Sequence, residues 1–387
     1  MEISKERTRR RGVAVLGAVA VLAIYMVVVA VPTSAAVACT VAGGTMTVTM
    51  DADLDAVTLV VDGPNIDFNG GDCTPAATTA DVSSIVVSSE APGEDEDQTV
   101  TIDGSGGPFT ASISIDTGAG DDFVSVSTVA GDAVTANLGD GNDGFNSTAA
   151  LGPVSVNGGS GDDTILAGDG NDTLNAGDGN NDVVAGAGND RVTSGNGGDD
   201  IIGGGGGDTV FAGGGADDIF GNAGRDRLWG EGGSDAIDAG EGSDLVGPGG
   251  GDDGDSVDPI DGGPGRNTIA FNDATAGVDV DLGAGSALTG NEEDVFVGFV
   301  NVRGSPRNDR IRATADNNDI ASGNGNDSVR AAGGEDDVRG GRGNDRLRGG
   351  PGDDDLFGQG GNDRLFGGPG VDFCNGGPGR DRLRGCE

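Results

Sequence analysis

Carboxylates recur along this chain at a fixed interval, each two residues before a branched apolar side chain. From Gly158 to Ser256 the sequence divides into 11 consecutive nine-residue units, beginning GGSGDDTIL, AGDGNDTLN and AGDGNNDVV. Their sixth place reads Asp163, Asp172, Asn181, Asp190, Asp199, Asp208, Asp217, Asp226, Asp235, Asp244 and Asp253, and their eighth is Ile, Leu or Val until Asp255. A second array of nine units, Gly304–Arg384, carries Asp309, Asn318, Asp327, Asp336, Asp345, Asp354, Asp363, Asp372 and Asp381 at the sixth place. Carboxylates stacked one strand spacing apart, about 4.8 Å, repel one another. A divalent hard cation between successive turns reverses the sign of that interaction. Carboxylate and backbone carbonyl oxygens together suit calcium, which takes six to eight oxygens at about 2.3–2.6 Å. Zinc or copper would want His or Cys, and the chain has no His. Magnesium, which holds its waters, suits so irregular a ligand set less well.

The unit itself says how these groups are positioned. Gly at places two and four permits the positive φ of a tight turn, so the first six residues read as turn and the last three as strand. A three-residue strand centred on place eight points that side chain inward and places seven and nine outward. One buried aliphatic stabilises each unit by about 1.5–3 kcal/mol. Ordering nine residues costs about 1–2 kcal/mol apiece, so the apolar stripe cannot fold the chain alone. Two units make a coil of 18 residues, close to the spacing of 21 and 20 that separates Asp122, Asp143 and Asp163 upstream.

The remaining sequence reads as follows. Residues 1–38 combine a basic start (KERTRRR), an apolar run at 12–31 and small residues before Cys39, the pattern of a cleaved signal peptide, with an uncleaved anchor as the alternative. Residues 39–115 hold short alternating strands at 45–50, 56–61, 84–88, 98–102 and 111–115, and form a β-rich cap region. Residues 116–157 carry one motif per coil, 158–256 the first array, 257–303 irregular coils (a degenerate unit at 262–270, then VDVDL and DVFVGFVNV), and 304–387 the second array. DADLDAVTLVVD (51–62) has an EF-hand-like Asp spacing but no Gly at its sixth place, and reads as a turn between strands. Cys39, Cys73, Cys374 and Cys386 are an even set; bridges 39–73 and 374–386 are the economical pairing among three possible connectivities.

Composition agrees with a repeat rather than an ordinary domain: 79 Gly, 4% aromatic residues and a net charge of −43, which becomes −46 without residues 1–38. A surface this acidic argues against nucleic acid as a partner. Thirteen Arg lie in 303–384, often at outward places as in NDRLR, and read as solvated faces paired with neighbouring acids. Without His there is no zinc-protease motif and no Ser-His-Asp triad.

The pattern resembles the repeats-in-toxin (RTX, haemolysin-type) calcium-binding nonapeptide, G-G-x-G-x-D-x-U-x. GGRGNDRLR (340–348) and GGPGDDDLF (349–357) match it throughout, and with degenerate copies the likeness covers 117–384. The resemblance implies an all-β, right-handed parallel β-roll or β-helix solenoid. It implies multiple Ca²⁺ held between adjacent coils by turn carbonyls and the carboxylates of Asp163, Asp172, Asp190, Asp199, Asp208, Asp217, Asp226, Asp235, Asp244, Asp327, Asp336, Asp345, Asp354, Asp363, Asp372 and Asp381. Bridging units two apart would give about 16 ions. Sites at Asn181, Asn267 and Asn318 should be weak or empty, and units 304–312 and 313–321, poor in Gly, are not expected to bind. A Cys374–Cys386 bridge would seal the solenoid's end. Many RTX proteins carry a C-terminal export signal; the N-terminal segment here points instead to general secretion. The expected function is a secreted calcium-binding β-roll without catalytic activity that folds on binding Ca²⁺. A cell-surface adhesive or structural scaffold, with a surface or polysaccharide partner left open, is the alternative, and a calcium-dependent polysaccharide lyase a remote one.

Overall fold

The computed structural model describes residues 38–387 except 51–55, 63–64, 69–70, 79–81, 90–96, 106, 108–110, 128–133, 150–151, 250–258 and 291. The apolar segment at 12–31, the Asp cluster at 51–55, Asp253 and Asp255 therefore lie outside the described residues. Among those described there is no helix, hence none long and apolar enough to cross a membrane. The chain forms two compact units: one runs to Asp169 and includes Ala176–Val183, and the other comprises Gly170–Asn175 and Val184–Glu387.

In the first unit, Thr45–Met50, Ser84–Ser89, Ser112–Ala119, Val134–Asp140 and Val154–Ser160 pair in parallel, stacking Met46 on Ile85, Ile113, Val134 and Val154. A second ladder stacks Val57, Val100, Val124, Phe145 and Ile165. All ten are 0–3% exposed. The strands of 39–115 thus belong to the same parallel ladders as the motif-bearing coils. What distinguishes them is antiparallel additions: Ala38–Ala42 on Thr45–Met50, and Asn65–Phe68 between Ala56–Asp62 and Gly71–Thr78.

Within each repeat array the second unit stacks every 18 residues, because two glycine turns and two short strands close one coil, whereas the coils between the arrays are longer, as from Val246 to Ile269 and from Ile269 to Val302. Val192, Val210, Leu228 and Val246 form one buried column, and Ile311, Val329, Leu347 and Leu365 another. Place eight points inward as the periodicity requires. Leu383, at the same place in Arg382–Arg384, is 46% exposed: among the described residues its strand is paired on one side only, with Arg364–Phe366. Residues 278–297 depart from the expected irregular coils. Val278–Asp281, Ser286–Thr289 and Glu292–Val297 form an antiparallel meander, its outer strands in parallel with Arg310–Arg312 and Pro259–Asp261 respectively. Short alternating strands with Gly283, Gly285 and Gly290 at their turns favour hairpins there.

Candidate metal centre

Each turn stacks on its equivalent one coil away through the backbone. At Gly204, φ is +114°, and an added Cβ would collide with the Gly186 carbonyl. At that φ only glycine allows the approach; where the same place holds Asn222, Glu231, Ala332 or Gln359, the backbone sits at φ 68–85° instead. The place-four N–H then donates to the place-three carbonyl of the next coil, as from Gly188 to Gly205 (2.7 Å). A column the periodicity did not single out helps: place-five Asn326, Asn344 and Asn362 bond each other's side chains and backbone N–H groups. The recurring Asn-Asp dipeptide is its sequence signal.

The sixth-place carboxylates lie inside these turns. Asp163, Asp172, Asp190, Asp199, Asp208, Asp217, Asp226, Asp235, Asp244, Asp327, Asp336, Asp345, Asp354, Asp363 and Asp372 are all buried, and Asp381 half-buried. Rather than facing one another bare, they hang on the backbone. Oδ1 of Asp208 accepts the N–H of Asp190 at 2.8 Å, Asp226 accepts from Asp208 at 2.8 Å, and Asp244 from Asp226 at 2.9 Å. The second oxygen has no such donor. Oδ2 of Asp163, Asp190, Asp208, Asp217, Asp226, Asp244, Asp345, Asp363 and Asp372 is buried and makes no hydrogen bond. Asp143, in the longer coils, repeats the arrangement: its Oδ1 accepts the Asp122 N–H at 2.8 Å and its Oδ2 has no donor. Where place one is Gly, no Cβ obstructs that oxygen, as with Asp208 over Gly203 and Asp226 over Gly221.

A buried carboxylate oxygen without a donor disfavours its own charge. Burial pushes Asp143, Asp163 and Asp226 up to about 7 and Asp208, Asp217 and Asp345 up to about 6, against the partial opposition of the backbone N–H. Neighbouring carboxylates raise Asp143 and Asp226 further.

The Asn variants reveal what surrounds that oxygen. Oδ1 of Asn267 accepts the Asp244 N–H like any Asp, while its amide nitrogen donates to the carbonyls of Gly262 (2.5 Å), Gly263 (3.1 Å) and Gly298 (3.0 Å). Asn181 likewise donates to Gly177 (3.1 Å) and Gly179 (3.3 Å), and Asn318 to Val300 (2.6 Å). The pocket around the second atom is therefore lined by carbonyl oxygens. An NH₂ satisfies them; a carboxylate oxygen there meets only other oxygens. Hard oxygen donors so arranged fit calcium. At Asp309 the need is met differently: Ser305 donates its N–H to Oδ2 (2.7 Å) and its hydroxyl to Oδ1 (2.6 Å). Among the described residues no three Asp, Glu, Cys or His side chains converge, so a cation held beside one of these carboxylates would take its other protein ligands from backbone carbonyls such as those around Asn267.

Cys374 and Cys386 are disulfide-bonded. Cys39 is bonded as well, and the side chain of Cys73 lies outside the described residues.

Comparison with known families agrees with this geometry. The family described as the RTX calcium-binding nonapeptide repeat (4 copies) matches in overlapping windows that span residues 157–255 and 303–383. No curated protein matches the chain.

Proposed function

From the premise that this chain is an RTX calcium-binding repeat protein with a β-roll fold, we propose that it is a secreted protein that folds on binding several Ca²⁺ ions and has no catalytic activity of its own. The observation that carries the reading is the repeated buried Oδ2 without a donor, set among turn carbonyls. Sixth-place Asp and turn carbonyls would hold the ions, which supply the positive charge the turns lack. In the cytoplasm, where calcium is scarce, the chain stays exportable; outside, binding draws it into the folded state. The basic-apolar-small pattern of residues 1–38 and the Cys374–Cys386 bridge support export to an oxidising compartment. Calcium titration of the chain lacking residues 1–38, followed by far-UV circular dichroism and reversed with chelator, tests the proposal. A coil-to-β transition at millimolar calcium supports it. A β spectrum indifferent to chelator overturns it.

A further inference from the structure

The Arg residues of the second array do not behave as scattered solvated charges. Because strands stack in parallel and in register, place seven lies on place seven and place nine on place nine. Arg310, Ser328, Arg346, Arg364 and Arg382 form one outward column, and Arg312, Arg330, Arg348, Phe366 and Arg384 the other. One sheet face of an acidic protein thus carries eight guanidinium groups, with rungs about 4.8 Å apart. The first rung is neutralised: Arg312 meets Asp279 (3.0 Å) and Asp281 (3.4 Å), and Arg310 lies 4.0 Å from Asp279. Beyond it, Arg330, Arg346, Arg348, Arg364, Arg382 and Arg384 are exposed and meet no carboxylate among the described residues. The expected pairing with neighbouring acids holds for Arg310, Arg312 and Arg339, the last with Asp319 and Asp337 on the other sheet, but for these six it fails for a geometric reason. The sequence neighbours Asp345 and Asp363 point into the turns, and the neighbours across the ladder are other Arg residues, Ser328 or Phe366, none of them acidic. Where Ser328 interrupts the column, a cavity of about 220 Å³ opens between Arg310, Arg312 and Arg330.

Like charges held this close raise one another's energy, and a polyanion laid along the ladder relieves that. Guanidinium groups bind carboxylate and sulfate in bidentate fashion. A linear ligand bearing an anionic group on each successive sugar matches a linear ladder of rungs. Single-stranded nucleic acid would call for aromatic stacking platforms, and Phe366 alone stands on this face. The net charge of the chain does not forbid the contact, since at about 0.1 M salt fields decay over about 10 Å. We infer that this Arg ladder is a binding face for a linear acidic polysaccharide.

The test uses the full chain without residues 1–38, in calcium, with heparin oligosaccharides as the probe because they bear both carboxylate and sulfate. Isothermal titration should show binding that weakens roughly a hundredfold between 50 and 200 mM salt, as release of counterions requires. The R346Q/R364Q/R382Q variant should bind at least about thirtyfold more weakly, with the calcium-induced β spectrum retained. R339Q, on the opposite sheet, should bind as the parent does. Absence of binding at 50 mM salt by a chain with an intact β spectrum overturns the inference, as does equal binding by the triple variant. Tighter binding of a single-stranded oligonucleotide or of anionic phospholipid vesicles overturns the choice of ligand class.

Discussion

Replacing Asp226 by Asn should stabilise the calcium-free protein while removing calcium sites. In the folded chain Asp226 is fully buried, its Oδ1 takes the Asp208 N–H, and its Oδ2 has no donor. A carboxyl held at about 7 instead of the usual 3.8 costs about 4 kcal/mol when ionised in an unscreened site, and about 2 kcal/mol once water near the turn screens it. Asn267 shows what the amide does in the same place: Oδ1 keeps the bond from the previous coil and Nδ2 donates to turn carbonyls. Two such bonds stabilise by about 1 kcal/mol each. Asp226→Asn should therefore raise unfolding stability in chelator at pH 7.5 by about 2–4 kcal/mol, read from urea midpoints by circular dichroism. Isothermal titration should show one or two fewer ions bound. Asp226→Ala, which loses the Oδ1 bond and gains no donor, should not reproduce the stabilisation. A chelated Asp226→Asn protein no more stable than its parent, or an unchanged ion count, would refute the reasoning.

Acid should partly replace calcium. Asp143, Asp163 and Asp226 are pushed up to about 7, so the folded chain holds protons that the unfolded chain has released, and folding in chelator is favoured below about pH 4 and weakens as pH rises through 7. Urea midpoints in chelator should fall between pH 4.5 and 8 while calcium affinity rises; a chelated protein more stable at pH 8 than at pH 5 contradicts this. Gly204→Ala places a methyl against the Gly186 carbonyl at φ +114° and should cost at least about 2 kcal/mol in calcium, measured by the shift in urea midpoint. Trp229, stacked on Phe211 at 4.9 Å between ring centres, with its indole over Gly247, should report folding, its fluorescence shifting to the red on chelation; unchanged emission would mean that this stretch stays ordered without calcium. Reducing the Cys374–Cys386 bridge should expose the last two units to protease while the upstream coils persist, detected by mass spectrometry of the fragments.

The sequence by itself determined what is local and periodic. Nine-residue spacing placed Ile, Leu and Val at the inward place and the glycines and Asp in the turns, because each of these follows from φ, side-chain alternation and the length of one unit. The same reasoning pointed to calcium, since Asp and carbonyl oxygens without His leave few other ions. Tertiary structure decided everything that depends on which residues lie one coil apart. That register gives Oδ1 of Asp208 a backbone donor 18 residues away and leaves Oδ2 with none, and it sets carbonyls around the amide of Asn267. It turns the alternating residues of 278–297 into a meander that joins strands already in the stack. It also sets Arg346 beside Arg364 and Arg330 beside Arg348, residues a full coil apart in the chain. A strand's alternation can be read along one segment of chain, but the neighbour across a parallel ladder is fixed only when the coils close.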